Sequence, residues 1–235
     1  MRDPRNAIPN CNNCDLCSLT ILKSLKEQDL DFVSDSKVNM LVKKGQTIFL
    51  QGGLPNGLYA LYAGKVKIHK TLPSGSDQII QLMAPGDVFG YKALLCDEPY
   101  ISSATAIEDS LVCLISNEVF HTIMARSHKL KKDIIFQLSD DLSNAQKKIE
   151  LGNKSAYARV VDALLSIMSV YGLDEETGEL HAKLTRKDLA DLSCLTLETT
   201  VRTLSALKKE GIIDFRGKSI FIANKREFIN QSALV

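Results

Sequence analysis

The stretch "LTRKDLADLSCLTLETTVRTLSALKKEGII", Leu184–Ile213, decides how the last third of the chain folds. Thr185 is followed three residues on by Asp188, the reciprocal capping pattern that opens a helix, just ahead of the apolar positions in "DLADL". "SCLT" then makes a short turn, Thr196 can cap a second helix over "LETTVRTLSALKKEG", and Gly211 suits the left-handed residue past its end. Two short helices joined by such a turn predict a helix-turn-helix. "IIDFRGKSIFIAN" follows, with apolar strands on either side of a turn at Gly217, and predicts a wing.

Helical spacing puts Glu198, Val201, Arg202 and Ser205 on one face of the second helix, and Thr200, Leu204 and Leu207 on the other. The first face is expected to be exposed and the second packed. In this motif the second helix lies in the DNA major groove with its N-terminal residues towards the base edges. Arg202 can donate two hydrogen bonds to guanine O6 and N7, and Glu198 can accept from cytosine N4. Thr196, Leu197, Val201 and Ser205 flank them as further candidates. Lys183, Arg186, Lys187, Arg216 and Lys218 are candidate phosphate contacts, which hold register without reading sequence. The competing reading is a solvated helix with an intrahelical Glu198–Arg202 pair. Charge distribution favours DNA. Residues 181–228 carry 10 Lys/Arg against 6 Asp/Glu, net +4, whereas residues 27–126 carry 8 against 11, net −3.

Upstream, "NEVFHTIMARSHKLKKDIIFQLSDDLSNAQKKIE" (Asn117–Glu150) contains no Pro or Gly. Ile135, Leu138, Leu142, Ala145 and Ile149 recur there at spacings of 3, 4, 3 and 4, the rhythm of a coiled-coil seam. So short a seam must be covered, either by the chain's own β region or by a second copy. The charged flanks Lys131, Lys132, Asp140, Asp141, Lys147 and Lys148 favour the copy, so these five apolar residues are the expected homodimer interface. "AYARVVDALLSIMSVYG" begins another amphipathic helix. From about Val42 to Leu114 the chain reads as short strands, among them "QTIFL", "LYALYAG" and "QIIQLM". They are separated by turns such as "GGLPNG" and "APGD", a pattern that predicts a sandwich, jelly roll or barrel.

At 235 residues, with 45% apolar and 24% charged residues, the chain has the composition of a globular protein. Its first residues lack the apolar core of a secretory signal, and no run approaches the roughly 18 apolar residues of a membrane helix. No membrane partner and a cytoplasmic location are therefore expected, where thiols stay reduced. In that setting Cys11, Cys14 and Cys17, crowded into "NCNNCDLCSLT" (Asn10–Thr20), read as metal ligands or a redox centre, not disulfides. No P-loop, hydrolase elbow or metalloprotease helix is present, so no catalysis is expected.

A turn-rich β domain, one long helix and a winged helix-turn-helix, in that order, resemble the CRP/FNR family of bacterial transcription regulators. "KKGQTIFLQGG", "LYALYAGKVKI", "APGDVFG" and the Leu184–Ile213 stretch carry the likeness, from about Lys44 to Asn224. The resemblance implies a jelly-roll sensor of the cyclic-nucleotide-binding type, a dimerisation helix, a palindromic double-stranded DNA target and RNA polymerase as partner. It also implies that Glu198 and Arg202 read the family's shared TGA core. Leu197 replaces an Arg of cyclic-AMP-dependent members, and Val201 replaces a Gly or Ser.

Two branches separate at the sensor. Cyclic-AMP binders carry an acid after their "GD-x-x-G" motif and an Arg-Ser pair for the phosphate. Here Gly86–Gly90 continues with Tyr91-Lys92, and Ser102 stands in place of the Arg, so cyclic AMP is not expected. The FNR-type branch holds a [4Fe-4S] cluster on three N-terminal cysteines and one from the end of the β domain. "SLVC" matches that context and nominates Cys113 beside Cys11, Cys14 and Cys17. The tight C-x2-C-x2-C spacing departs from the FNR pattern and matches that of bacterial ferredoxins. Zinc on four thiolates, and a vestigial site, are the alternatives. Cys113 otherwise reads as a small buried hydrophobe, and Cys96 and Cys194 as structural.

The expected architecture is α+β: an N-terminal cysteine-containing arm (1–26), a cyclic-nucleotide-binding-like jelly roll (27–126), a dimerisation helix (127–152) and a winged helix-turn-helix domain (153–235). The leading expectation is a regulator responsive to redox, oxygen or nitric oxide. A second keeps DNA binding but places a small-molecule or haem effector in the jelly roll. A third, a ferredoxin-like electron carrier, is opposed by the missing close fourth cysteine and by the helix-turn-helix.

Overall fold

The computed structural model describes residues 8–18, 20–223, 225 and 228; Leu19, Asn224 and the remaining ends of the expected arm and C-terminal domain lie outside the described residues. The chain divides into two compact units, 1–70 with 83–145 and 71–82 with 146–235.

The strands are β1 (Val38–Val42), β2 (Thr47–Phe49), β3 (Gly57–Ala63), β4 (Val66–Thr71), β5 (Asp77–Met83), β6 (Val88–Phe89), β7 (Ser103–Ala106) and β8 (Ser110–Ser116). They form two four-stranded sheets of order β1-β8-β3-β6 and β2-β7-β4-β5, the expected double-sheet β core. Helix α1 (Glu27–Ser36) precedes β1, α2 (Tyr91–Cys96) follows β6, and α3 (Asn117–Arg126) and α4 (His128–Glu150) follow β8.

Side-chain alternation along β3 and β8 separates two cores. Tyr59, Leu61 and Val112, with Leu114, pack with Val42, Val66, Phe89, Tyr100 and Ala104. Phe49 stacks on Tyr100 there, ring centroids 3.9 Å apart. The intervening residues Leu58 and Ile115, with Ala60, pack instead against the arm, α1, α3 and α4 through Ile21, Leu22, Val33, Phe120, Ile123, Leu130 and Ile134. The sheet is thus buried on both faces, and its second face positions the cysteine-bearing arm.

Helix α4 divides its apolar residues between two directions. Leu130 and Ile134 are buried, and Leu138 packs beside them, all against the helix's own β domain. Ile135, Phe136, Leu142 and Ile149 remain 57–77% exposed. The sequence opposed covering by the β domain to covering by a copy, but the helix has room for both. Spacings of four on one side and seven on the other fall on different faces of a 3.6-residue helix. The charged flank also contributes inward. Asp141 accepts a hydrogen bond from the Tyr91 hydroxyl and pairs with Lys92 Nζ at 2.8 Å, tying α2 to α4. Burial, with Asp141 adding to it, raises the Tyr91 pKa.

In the second unit, α5 (Ala156–Tyr171) buries Val160, Val161, Leu164 and Ile167. Helices α6 (Arg186–Ser193) and α7 (Leu197–Lys209) follow, then the antiparallel pair β9 (Ile213–Arg216) and β10 (Ser219–Ile222). These are the expected helix-turn-helix and wing. The turn closes with Cys194 in the left-handed conformation, φ 55°, and α7 ends before Gly211, φ 74°. The capping box at Thr185 is complete: Thr185 Oγ1 accepts from the Asp188 amide at 3.0 Å, and the Asp188 carboxylate accepts from the Thr185 amide at 3.0 Å. Thr185→Ala removes one half of it, at a cost of about 1 kcal/mol. Amide exchange in the first turn of α6 should then quicken by about fivefold, measured by deuterium uptake; unchanged exchange would mean the cap is dispensable there.

Candidate functional site

Two sets of the nominated residues come together. The first is the cysteine set. Cys113 lies on β8, in register with Asn39 of β1 and Ala60 of β3, and points to the sheet face that carries the arm. The arm reaches it as three short 3-10 turns, Cys11–Asn13, Asp15–Ser18 and Ile21–Ser24. Thr20 caps the last turn, its Oγ1 accepting from the Leu22 amide at 3.0 Å. Ile21 and Leu22 anchor that turn in the core. Cys11, Cys14, Cys17 and Cys113 consequently line one cavity, walled otherwise mainly by Leu16, Leu22, Ala60 and Ile115. Cys96 and Cys194 are exposed and lie outside it.

The thiols influence one another. A hydrogen bond with the Cys17 thiol brings the Cys11 pKa down to about 6 against the opposing effect of burial, with Lys37 and Ser34 helping. The same bond, with burial, raises the pKa of Cys17. Burial pushes Cys113 up to about 11, with Lys37 opposing and Cys11 and Cys14 reinforcing. The cavity measures about 20 Å³, room for about one water. Among the described residues, no group of three or more His, Cys, Asp or Glu side chains stands in a metal-holding arrangement. The donors are nevertheless four thiols, the set that iron–sulfur clusters and structural zinc both take, on one space walled mostly by apolar residues and also by Lys37.

Sequence reasoning missed the support of this arm. Ser34 Oγ accepts from the Cys11 amide at 3.2 Å, Lys37 Nζ donates to the Pro9 carbonyl at 2.6 Å, and Asn12 donates to Asp31. All three partners come from α1 or the residue just past it. Their spacing resembles any solvated helix, so no sequence pattern marks them.

The second set is the face of α7. Leu197, Glu198, Val201, Arg202 and Ser205 are exposed, while Thr200, Leu204 and Leu207 are buried, as the 3.6-residue spacing requires. No ion pair joins Glu198 to Arg202 among the described residues, so the competing intrahelical pair is not made there. Thr196 is engaged as the cap: its Oγ1 accepts from the Thr199 amide at 3.2 Å and donates to Thr199 Oγ1 at 2.9 Å.

The nominated phosphate contacts differ among themselves. Lys183, Arg216 and Lys218 are exposed. Arg186 is half-buried, its guanidinium 4.0 Å from the Phe215 ring centroid, and therefore braces the wing against α6. Lys187 pairs with Asp191, a carboxylate 5% exposed. Arg216 stacks on Phe221 at 4.7 Å, and Lys208 pairs with Asp214 at 2.8 Å. No helix among the described residues is long and apolar enough to cross a membrane.

Residues 40–127 match the cyclic nucleotide-binding domain family, and residues 158–228 match the Crp-like helix-turn-helix domain family. The chain is 30% identical over 216 residues to an anaerobic regulatory protein of Pasteurella multocida, covering 91% of this chain and 79% of that one. It is 29% identical over 223 residues to a fumarate and nitrate reduction regulatory protein of Vibrio cholerae, covering 94% and 89%. Among solved structures, FixK2 from Bradyrhizobium japonicum superposes with a TM-score of 0.73 at 27% identity, over 83% of this chain and 96% of that one.

Proposed function

The chain belongs to the CRP/FNR family of transcription regulators, and from that membership we propose that it is a homodimer whose binding to palindromic DNA is set by an iron–sulfur cluster on Cys11, Cys14, Cys17 and Cys113. It is a helix-turn-helix regulator and not an enzyme. The observation that carries the sensory half of the proposal is the meeting, on one cavity, of three neighbouring thiols of the arm with Cys113, about a hundred residues further along the chain. Bound there, a [4Fe-4S] group would supply one-electron redox chemistry and sensitivity to oxygen or nitric oxide.

The chain's own residues suit the relay. Cys113 continues along β8 to Ser116, whose hydroxyl accepts from the Val119 amide and caps α3. Cys11, Ile21 and Leu22 of the arm share a core with Ile123 of α3 and with Leu130 and Ile134 of α4. Arg126 of α3 pairs with Asp29 of α1 at 3.6 Å. A change in how the arm is held therefore alters the packing beneath the inward face of α4, and so the presentation of Ile135, Leu142, Ala145 and Ile149 to a second copy. RNA polymerase is the further partner, proposed from the family and placed at no residue here.

A second reading is favoured by one observation: a cavity of about 20 Å³ suits a single ion better than a cube of iron and sulfide. Zinc on the same four thiolates answers it. Anaerobic purification with iron and acid-labile sulfide assays separates the two. Iron and sulfide together support the cluster; zinc without sulfide supports the second reading; a metal-free protein that takes up neither on reconstitution overturns both. Cys113→Ala is expected to reduce metal retention by more than the roughly 10–100-fold that loss of a supporting outer-shell partner costs. Unchanged retention would remove Cys113 from the ligand set.

A further inference from the structure

We propose that Lys37 is the built-in counter-charge of the cysteine cavity, holding a net-negative thiolate-bound metal group in place and anchoring the arm that carries it. The inference rests on the metal-centre reading and deepens it. Among the described residues lining the cavity, Lys37 is the one charged side chain, and the four cysteines are joined there by apolar and uncharged polar neighbours. Its position is fixed from two directions. Lys37 caps the end of α1, its amide donating to the Val33 carbonyl at 2.9 Å, and its ammonium donates to the Pro9 carbonyl at 2.6 Å, two residues before Cys11. From there its charge acts on both Cys11 and Cys113, one from the arm and one from the sheet.

The need for such a charge follows from electrostatics. Four thiolates outweigh the positive charge of the iron–sulfur core or the zinc ion they hold, so the filled site carries net negative charge. Burying that charge among Leu16, Leu22, Ala60 and Ile115 is unfavourable unless an opposite charge lies close by. A cation beside the sulfurs also favours the more negative, reduced state, because net charge and the surroundings of the sulfurs set the potential of such groups.

A charge series at Lys37 tests this in the full-length, anaerobically reduced protein, with cobalt(II) as probe and its thiolate charge-transfer absorption as readout. Lys37→Arg is expected to keep cobalt affinity. Lys37→Met should lose roughly tenfold or more, as expected for removing a unit charge at contact distance in a half-buried site. Lys37→Glu should lose more again, and the deficit of the Met variant should narrow as salt is raised. A Met variant that binds as the wild type does overturns the inference while leaving the metal centre standing. Equal, salt-independent losses in the Met, Glu and Arg variants also overturn it, assigning Lys37 to holding Pro9 alone. Wild-type protein that binds neither cobalt nor iron overturns the metal-centre reading and this inference with it.

Discussion

Leu142→Glu combined with Ile149→Glu is expected to make the protein monomeric and to lower its affinity for a palindromic site by roughly 10²–10⁴-fold, the factor that tethering a second reading head supplies. Leu142 is 61% and Ile149 77% exposed, so glutamate at either position meets no core atom and the fold should survive. The same helix is held to its own domain by Leu130 and Ile134, which are fully or nearly fully buried, and by Asp141 on Tyr91 and Lys92. Those contacts are untouched. In a dimer, by contrast, each glutamate would sit in an apolar seam beside its copy, unpaired and repelled. Sedimentation velocity reads the mass, and binding to one half-site against two reads the loss of avidity. A variant that stays dimeric places the interface elsewhere.

The second large effect concerns the reading of bases. Arg202→Ala should weaken binding to the specific operator by roughly 5–150-fold, corresponding to the 1–3 kcal/mol of one bidentate guanine contact. Binding to random DNA should fall far less. Arg202 is exposed and makes no ion pair with Glu198 among the described residues, so its removal disturbs no packing. Titrations on operator and scrambled DNA at two salt concentrations separate the cases. A loss that is equal on both sequences, with a shallower salt dependence, would make Arg202 a phosphate contact only. Leu197 and Val201 lie exposed on the same face, at 48% and 42%, where an apolar side chain gains nothing from water. That exposure suits the proposed contact with DNA.

Much of this was legible before any coordinates. Thr185 and Asp188 announce the start of α6 because a capping box is a local contract between a side chain and an amide three residues away. The exposed and buried faces of α7 follow from helical periodicity alone, without reference to partners. The β core and its turns were likewise readable, because strand alternation and turn residues are local properties. Cys113 was reached by another route, a family resemblance. Its strand alone would have left it a small hydrophobe.

What escaped the sequence depends on residues distant along the chain. Arg186 and Lys187 look alike as free cations in "TRKD", yet one stacks on Phe215 of the wing and the other pairs with the buried Asp191. Leu138 fits the seam by spacing but packs on the β domain, because α4 must satisfy two neighbours at once. Ser34, Lys37 and Asp31 carry no pattern at all, and only the folding of α1 beside the arm brings them to Pro9, Cys11 and Asn12.

The sequence by itself determined that a β core precedes a helix-turn-helix, the caps of α6 and α7 and the face that α7 presents, since the local signals for each lie within a few residues. Only the tertiary structure decided that three cysteines of an N-terminal arm and one of β8 share a cavity, and that the charge of Lys37 stands beside them. Those facts depend on which face of a doubly buried sheet Cys113 occupies and on where α1 delivers its last turn, and packing alone sets both.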